Sequence, residues 1–189
     1  MHSAFQFHHY TVRRLVFALT GKLRFFNPSG QLVLFSEQKM FKLREDIRIF
    51  SDESKSQMVL NIKARQIIDF AAAYDVIDPL ENVRVGVLRR KGFSSILRDK
   101  WEIMDANERP LAVMEEDSMQ LALIRRFLLN IIPQNYDILM GQTRVVDVKQ
   151  RFNLFRYELD VDFLPNSPFD KRLGVAAATL LAIVEGRQE

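Results

Sequence analysis

Apolar and polar positions alternate along most of the chain, and short polar turns interrupt the alternation at regular intervals. Leu23 to Phe26 leads into Asn27-Pro28-Ser29-Gly30, and Leu32 to Phe35 returns. The same unit recurs at Ile47–Phe50 with Met58–Ile62, at Tyr74–Ile77 with Val83–Leu88, at Trp101–Met104 with Leu111–Met114, and at Tyr136–Met140 with Val145–Val148. Each turn carries the Gly, Pro, Asn, Asp or Ser residues that accept tight backbone angles. Five such hairpins predict one meandering antiparallel sheet. A further strand is predicted over 155–163, where Phe155, Tyr157, Leu159, Val161 and Phe163 alternate with Arg156, Glu158, Asp160 and Asp162. Period two with one charged side is the signature of a sheet with one wet face.

Two segments break the period. Leu173–Val184 reads LGVAAATLLAIV, with Thr179 as its one hydroxyl and no charge. A helix here has no polar face and must be buried on every side. Its length of about 18 Å is well short of the ~30 Å hydrocarbon of a bilayer, so a membrane span is not expected. Asp170 is placed to cap its start and Gly186 to end it. A second helix is predicted over 118–129, entered through Glu115-Glu116-Asp117 and ended by Ile131-Ile132-Pro133. Ten or more half-buried strands must close or stack to hide their edges. Two arrangements satisfy this: a closed barrel threaded by the apolar helix, or a β-sandwich with the helix laid across one opening. No Gly-, Ser- or Pro-rich linker divides the chain, so residues 10–189 are expected to form one domain behind a flexible arm of residues 1–9.

Composition narrows the function classes. The 189 residues carry 27 Lys+Arg and 24 Asp+Glu, a formal net charge of +3, which permits an anionic partner without demanding nucleic acid. There is no cysteine, which removes disulfides, thiolate metal sites and cysteine nucleophiles and suits the cytoplasm. Met1–Tyr10 lacks the features of a secretory signal.

Several blocks resemble bacterial members of the LURP-one-related family. They are Phe41–Phe50 (FKLREDIRIF), Ile62–Phe70 (IKARQIIDF) with Ala72–Val76, Leu88–Gly92 (LRRKG) with Ile96–Asp99, Trp101–Ile103 with Asp105-Ala106, and Asp170–Gly174 through Glu185–Gln188. That family is similar to phospholipid scramblases and to the tubby C-terminal domain. The resemblance implies a closed barrel of about twelve antiparallel strands around a buried C-terminal helix. Among these relatives, tubby domains bind phosphoinositides, scramblases move lipids and plant members are linked to defence, so the resemblance implies no single activity.

No Gly-x-Ser-x-Gly elbow, Walker loop or His-Glu-x-x-His occurs, and the three histidines all precede residue 10. Neither an enzyme nor a metal or cofactor site is expected. The informative residues are basic. Positions two apart on a strand share a face, so Lys22 with Arg24, Lys42 with Arg44, Lys63 with Arg65 and Arg89 with Lys91 each set two cations side by side. Lys63, Arg65, Arg89, Arg90 and Lys91, beside the Gly92-Phe93-Ser94-Ser95 turn, are the candidate contacts for a phosphate or lipid headgroup. Phe93 is the candidate membrane contact. Ordinary solubility of outward strand positions is the competing explanation for these cations. The expected role is a non-catalytic module at an anionic phospholipid or membrane surface, cytoplasmic and at most peripheral to the membrane. A protein partner or a homodimer is the alternative, and a hydrolase of unfamiliar type a remote third.

Overall fold

A computed structural model of the chain describes residues 1–15, 20–39, 46–66, 72–91, 100–116, 134–151, 153 and 156–184. Twelve strands follow one another as β1 (His9–Leu15), β2 (Thr20–Phe26), β3 (Leu32–Lys39), β4 (Asp46–Phe50), β5 (Met58–Gln66), β6 (Ala73–Asp78), β7 (Val83–Lys91), β8 (Lys100–Asp105), β9 (Pro110–Glu116), β10 (Asn135–Met140), β11 (Thr143–Arg151) and β12 (Arg156–Phe163). Each pairs antiparallel with its sequence neighbours, and β12 closes on β1, from His9 opposite Asp162 to Leu15 opposite Arg156. Closure leaves a barrel rather than the sandwich alternative. The helix over 118–129 and Phe93 lie outside the described residues.

A twelve-stranded barrel is wider than side chains alone can fill, because its diameter grows with strand number. The helix α1 (Lys171–Val184) occupies that space and packs against β12, β7, β6 and β2. Residues 173–183 are all buried, and the Thr179 hydroxyl donates to the Val175 carbonyl at 2.8 Å. Gly174 and the Ala176-Ala177-Ala178 run keep the helix slim where strands approach it. A Cβ on Gly174 would lie 2.5 Å from the Phe163 ring. Around α1 the inward positions are filled by large side chains such as Phe25, Ile62, Trp101, Tyr136 and Leu159.

Arg172 anchors the entry of α1. Its guanidinium binds Asp170 (2.7 Å), Asp78 (2.8 Å) and Glu81 (2.8 Å), and Asp78 is fully buried. The other Asp78 oxygen accepts the backbone N–H groups of Leu80 and Glu81, so this buried charge is satisfied on both sides. The N-terminal cap agrees with the sequence, since Asp170 accepts from the Arg172 N–H at 2.9 Å; Gly186 lies outside the described residues.

Residues 1–8, read from the sequence as part of a flexible arm, fold across this same end. Ser3–Phe5 forms a 3₁₀ turn, and Phe5 has no exposed surface. The Tyr10 hydroxyl donates to the Ala4 carbonyl at 2.8 Å, and burial pushes that hydroxyl above its usual pKa range. The Met1 amino group pairs with Glu81. The arm is held because two aromatics have an apolar barrel end to cover.

Candidate functional site

The basic residues singled out in the sequence lie on β5 and β7, two strands apart. Arg65 is fully engaged. It binds Asp75 through two hydrogen bonds (2.8 and 3.0 Å) and Glu108 through two more (2.8 and 3.0 Å). Arg84 completes the ring, reaching Glu108 at 3.1 Å and donating to the Ala106 carbonyl at 2.7 Å. These carboxylates hold the Arg65 guanidinium above its ordinary pKa, and Arg65 in turn holds Glu108 below the usual carboxylate range. Arg89 and Lys91 share Glu102, at 3.9 and 3.4 Å. Arg90, between them, takes the opposite parity and lies across from buried Trp101. Lys63 is exposed, in register with Asp46 and Asp75. Among the described residues, acids thus pair with Arg65, Arg89 and Lys91, and these cations do not meet in one cradle; the turn at 92–95 lies outside those residues.

A different set of cations converges. Strands β1, β2 and β12 form a groove of about 220 Å³ lined by Arg13, Arg14, Arg24, Phe26 and Arg156. Register places Arg13 directly opposite Arg24 on one side and Glu158 on the other. Like charges directly opposed on a strand pair are destabilising, and this barrel carries the same placement at Lys91 opposite Lys100 and at Asp137 opposite Asp147. At Arg13 and Arg24, neighbouring groups offset it. The Arg13 Nε donates to Glu158 at 2.8 Å, and the Arg24 Nε to Glu53 at 2.5 Å. Each guanidinium also lies over a ring, Arg13 over Phe26 at 5.0 Å and Arg24 over Phe35 at 5.9 Å. Arg24 holds the Glu53 carboxyl below its usual range, chiefly through that hydrogen bond.

The consequence is a pair of oriented forks. The acids take the Nε edge of Arg13 and of Arg24, and among the described residues no protein acceptor hydrogen-bonds their Nη groups. Arg156, exposed at the start of β12 and two residues before Glu158, has no carboxylate partner among the described residues. Arg14 lies on the inward parity with its guanidinium 5.7 Å over Tyr157. Guanidinium groups fixed at one edge and open at the other suit bidentate binding of an oxyanion.

Sequence reasoning had marked Arg24, paired with Lys22, and passed over Arg13 and Arg156. The signal was absent from any local window, since the groove exists only because the last strand closes on the first.

A family model described as LURP-one-related matches residues 32–182. The chain belongs to the LURP-one-related family. A search of curated proteins finds no match. The LURP-one-related span takes in β3 through most of α1 and includes Arg156, whereas Arg13, Arg14, Arg24 and Phe26 precede it. Most of the groove thus lies on strands outside the span that marks this chain as LURP-one-related.

Proposed function

We propose that this protein is a non-catalytic binding module that takes phosphate-bearing anions, phospholipid headgroups among them, in the groove between β1, β2 and β12. The observation that carries this reading is the convergence of Arg13, Arg24 and Arg156 on one groove, with Arg13 and Arg24 each clamped by a carboxylate at Nε and by a ring at its face. Converging cations whose Nη donors have no acceptor among the described residues are what an anion site requires. The volume of about 220 Å³ is below the roughly 300–1,000 Å³ of clefts that enclose drug-sized ligands. It suits a phosphate group held at a surface, with the rest of the ligand outside. The acids beside the groove favour binding over catalysis: Glu53 is kept ionised by its arginine and is poorly suited to donate a proton. Among the described residues no helix is long and apolar enough to cross a membrane, and a headgroup reading needs only surface contact on an anionic, cytoplasmic leaflet.

Vesicle sedimentation tests this. Phosphatidate-containing vesicles at low salt are expected to carry the protein down, phosphatidylcholine vesicles to leave it in solution, and added salt to release it. Arg24→Ala combined with Arg156→Ala is expected to reduce recovery several-fold. Equal recovery on both vesicles, or no loss in the double variant, would remove the lipid role and favour a protein partner.

A further inference from the structure

The groove offers more than a generic positive charge, and its donors can be matched to a particular oxyanion. Four arginines line it, and three of them, Arg13 from β1, Arg24 from β2 and Arg156 from β12, take the outward parity of their strands, while Arg14 takes the inward one. In Arg13 and Arg24, Nε is spent on Glu158 or Glu53, and the two Nη groups have no hydrogen-bond acceptor among the described residues. Arg156 adds a complete fork at the diagonal from Arg13, since it opposes Leu15 while Glu158 opposes Arg13. A phosphate monoester presents three terminal oxygens and, above its second pKa of about 6, close to two negative charges. A phosphodiester presents two such oxygens and one charge, and a carboxylate the same.

We infer that the groove selects the terminal phosphate of a monoester, one guanidinium to each oxygen, over phosphodiesters and carboxylates. This rests on the groove being the anion site proposed above and names its ligand class. The two resident carboxylates set the selectivity. Glu158 and Glu53 already balance one charge each at Arg13 and Arg24, so a monoanion gains little by displacing water there, whereas a dianion meets the third fork at Arg156 as well. Arg156 supplies the discrimination, and Arg13 with Arg24 supply the platform. The same terminal group occurs on soluble phosphorylated metabolites and on lipids such as phosphatidate, and the shared chemistry is what the groove reads.

The test uses the full chain, with titration calorimetry against glycerol 3-phosphate as monoester and dimethyl phosphate as diester at pH 7.5. Sedimentation with phosphatidate or phosphatidylserine vesicles at equal molar fractions forms the lipid arm. Monoester binding about tenfold tighter than diester is expected, and about tenfold weaker at pH 5, where the monoester carries one charge. Among the described residues, the charged groups beside Arg13, Arg24 and Arg156 are Arg14, Glu158, Glu53, Lys22 on β2, Asp160 and Arg151 beside Glu158, and His9 with Asp162 two rows along. His9→Gln is therefore included and is expected to keep the pH dependence. Arg156→Ala, whose side chain is exposed and has no hydrogen-bonded partner among the described residues, is expected to fold normally and to lose the monoester preference. Strong binding of glycerol 3-phosphate assigns a soluble source, and binding of phosphatidate vesicles alone assigns a lipid one. Equal affinity for monoester and diester, or a preference that survives Arg156→Ala, overturns this inference while leaving the groove as an anion site. Absence of binding by every probe overturns both.

Discussion

Gly86 on β7 illustrates how closely backbone and helix approach in this barrel. A Cβ at that position would lie 2.3 Å from the Met104 carbonyl oxygen and 3.0 Å from the Leu173 side chain. The carbonyl belongs to the β7–β8 ladder and cannot retreat without opening it, and Leu173 is the first buried residue of α1. Gly86→Ala is therefore expected to cost about 1–3 kcal/mol through overpacking, in spite of the backbone entropy that alanine saves. Denaturant unfolding monitored by the fluorescence of Trp101, one strand away, measures it; an unchanged midpoint would show that β7 and β8 are not packed this closely.

At the scale of elements, the ion pairs outside the groove hold turns to strands. Arg65 and Arg84 fasten Glu108, in the β8–β9 turn, to Asp75 on β6, and Asp52 gathers the Ser54 and Ser56 hydroxyls in the β4–β5 turn. Glu37, Glu53, Glu81, Asp105 and Glu108 all have carboxyl pKa values below their ordinary ones, and so does Asp52. A carboxyl that is more acidic in the folded chain than in the unfolded one stabilises the fold above the unfolded value of about 4 and loses that contribution as pH falls through the folded value. Thermal stability is expected to be level from pH 7 to about 5 and to fall steadily below about 4, less steeply in Glu108→Gln. A midpoint that rises on acidification would contradict the directions of these shifts.

Most of these elements were legible in the sequence, because turn chemistry and period two mark the hairpins, and a helix with no polar face has to be enclosed. β1 was not. Tyr10 and Val12 point inward as the alternation asks, but Arg14 occupies the next inward position and ends the apolar pattern after two residues. The docking of Phe5 was equally hidden, since nothing local shows that a barrel end lies above it.

For the molecule as a whole, closure of β12 on β1 builds the groove, and long-range closure leaves no trace in local spacing. The sequence-derived cluster on β5 and β7 counted cations along strands without the acids that cross-strand register places between them, Asp75 and Glu102 above all. Charge along a strand therefore identified basic residues, while pairing across strands decides which of them have donors left for a ligand. A net charge of +3 spread over the whole chain gives no comparable guide. Mapping by NMR tests the central claim most directly: titrating the full chain with inorganic phosphate while following the arginine Nε–H signals. The account predicts that Arg13, Arg24 and Arg156 shift together and saturate with one affinity, while Arg65, Arg84 and Arg89 stay in place. Shifts confined to Arg65, Arg84 and Arg89, with the groove arginines unmoved, would contradict it.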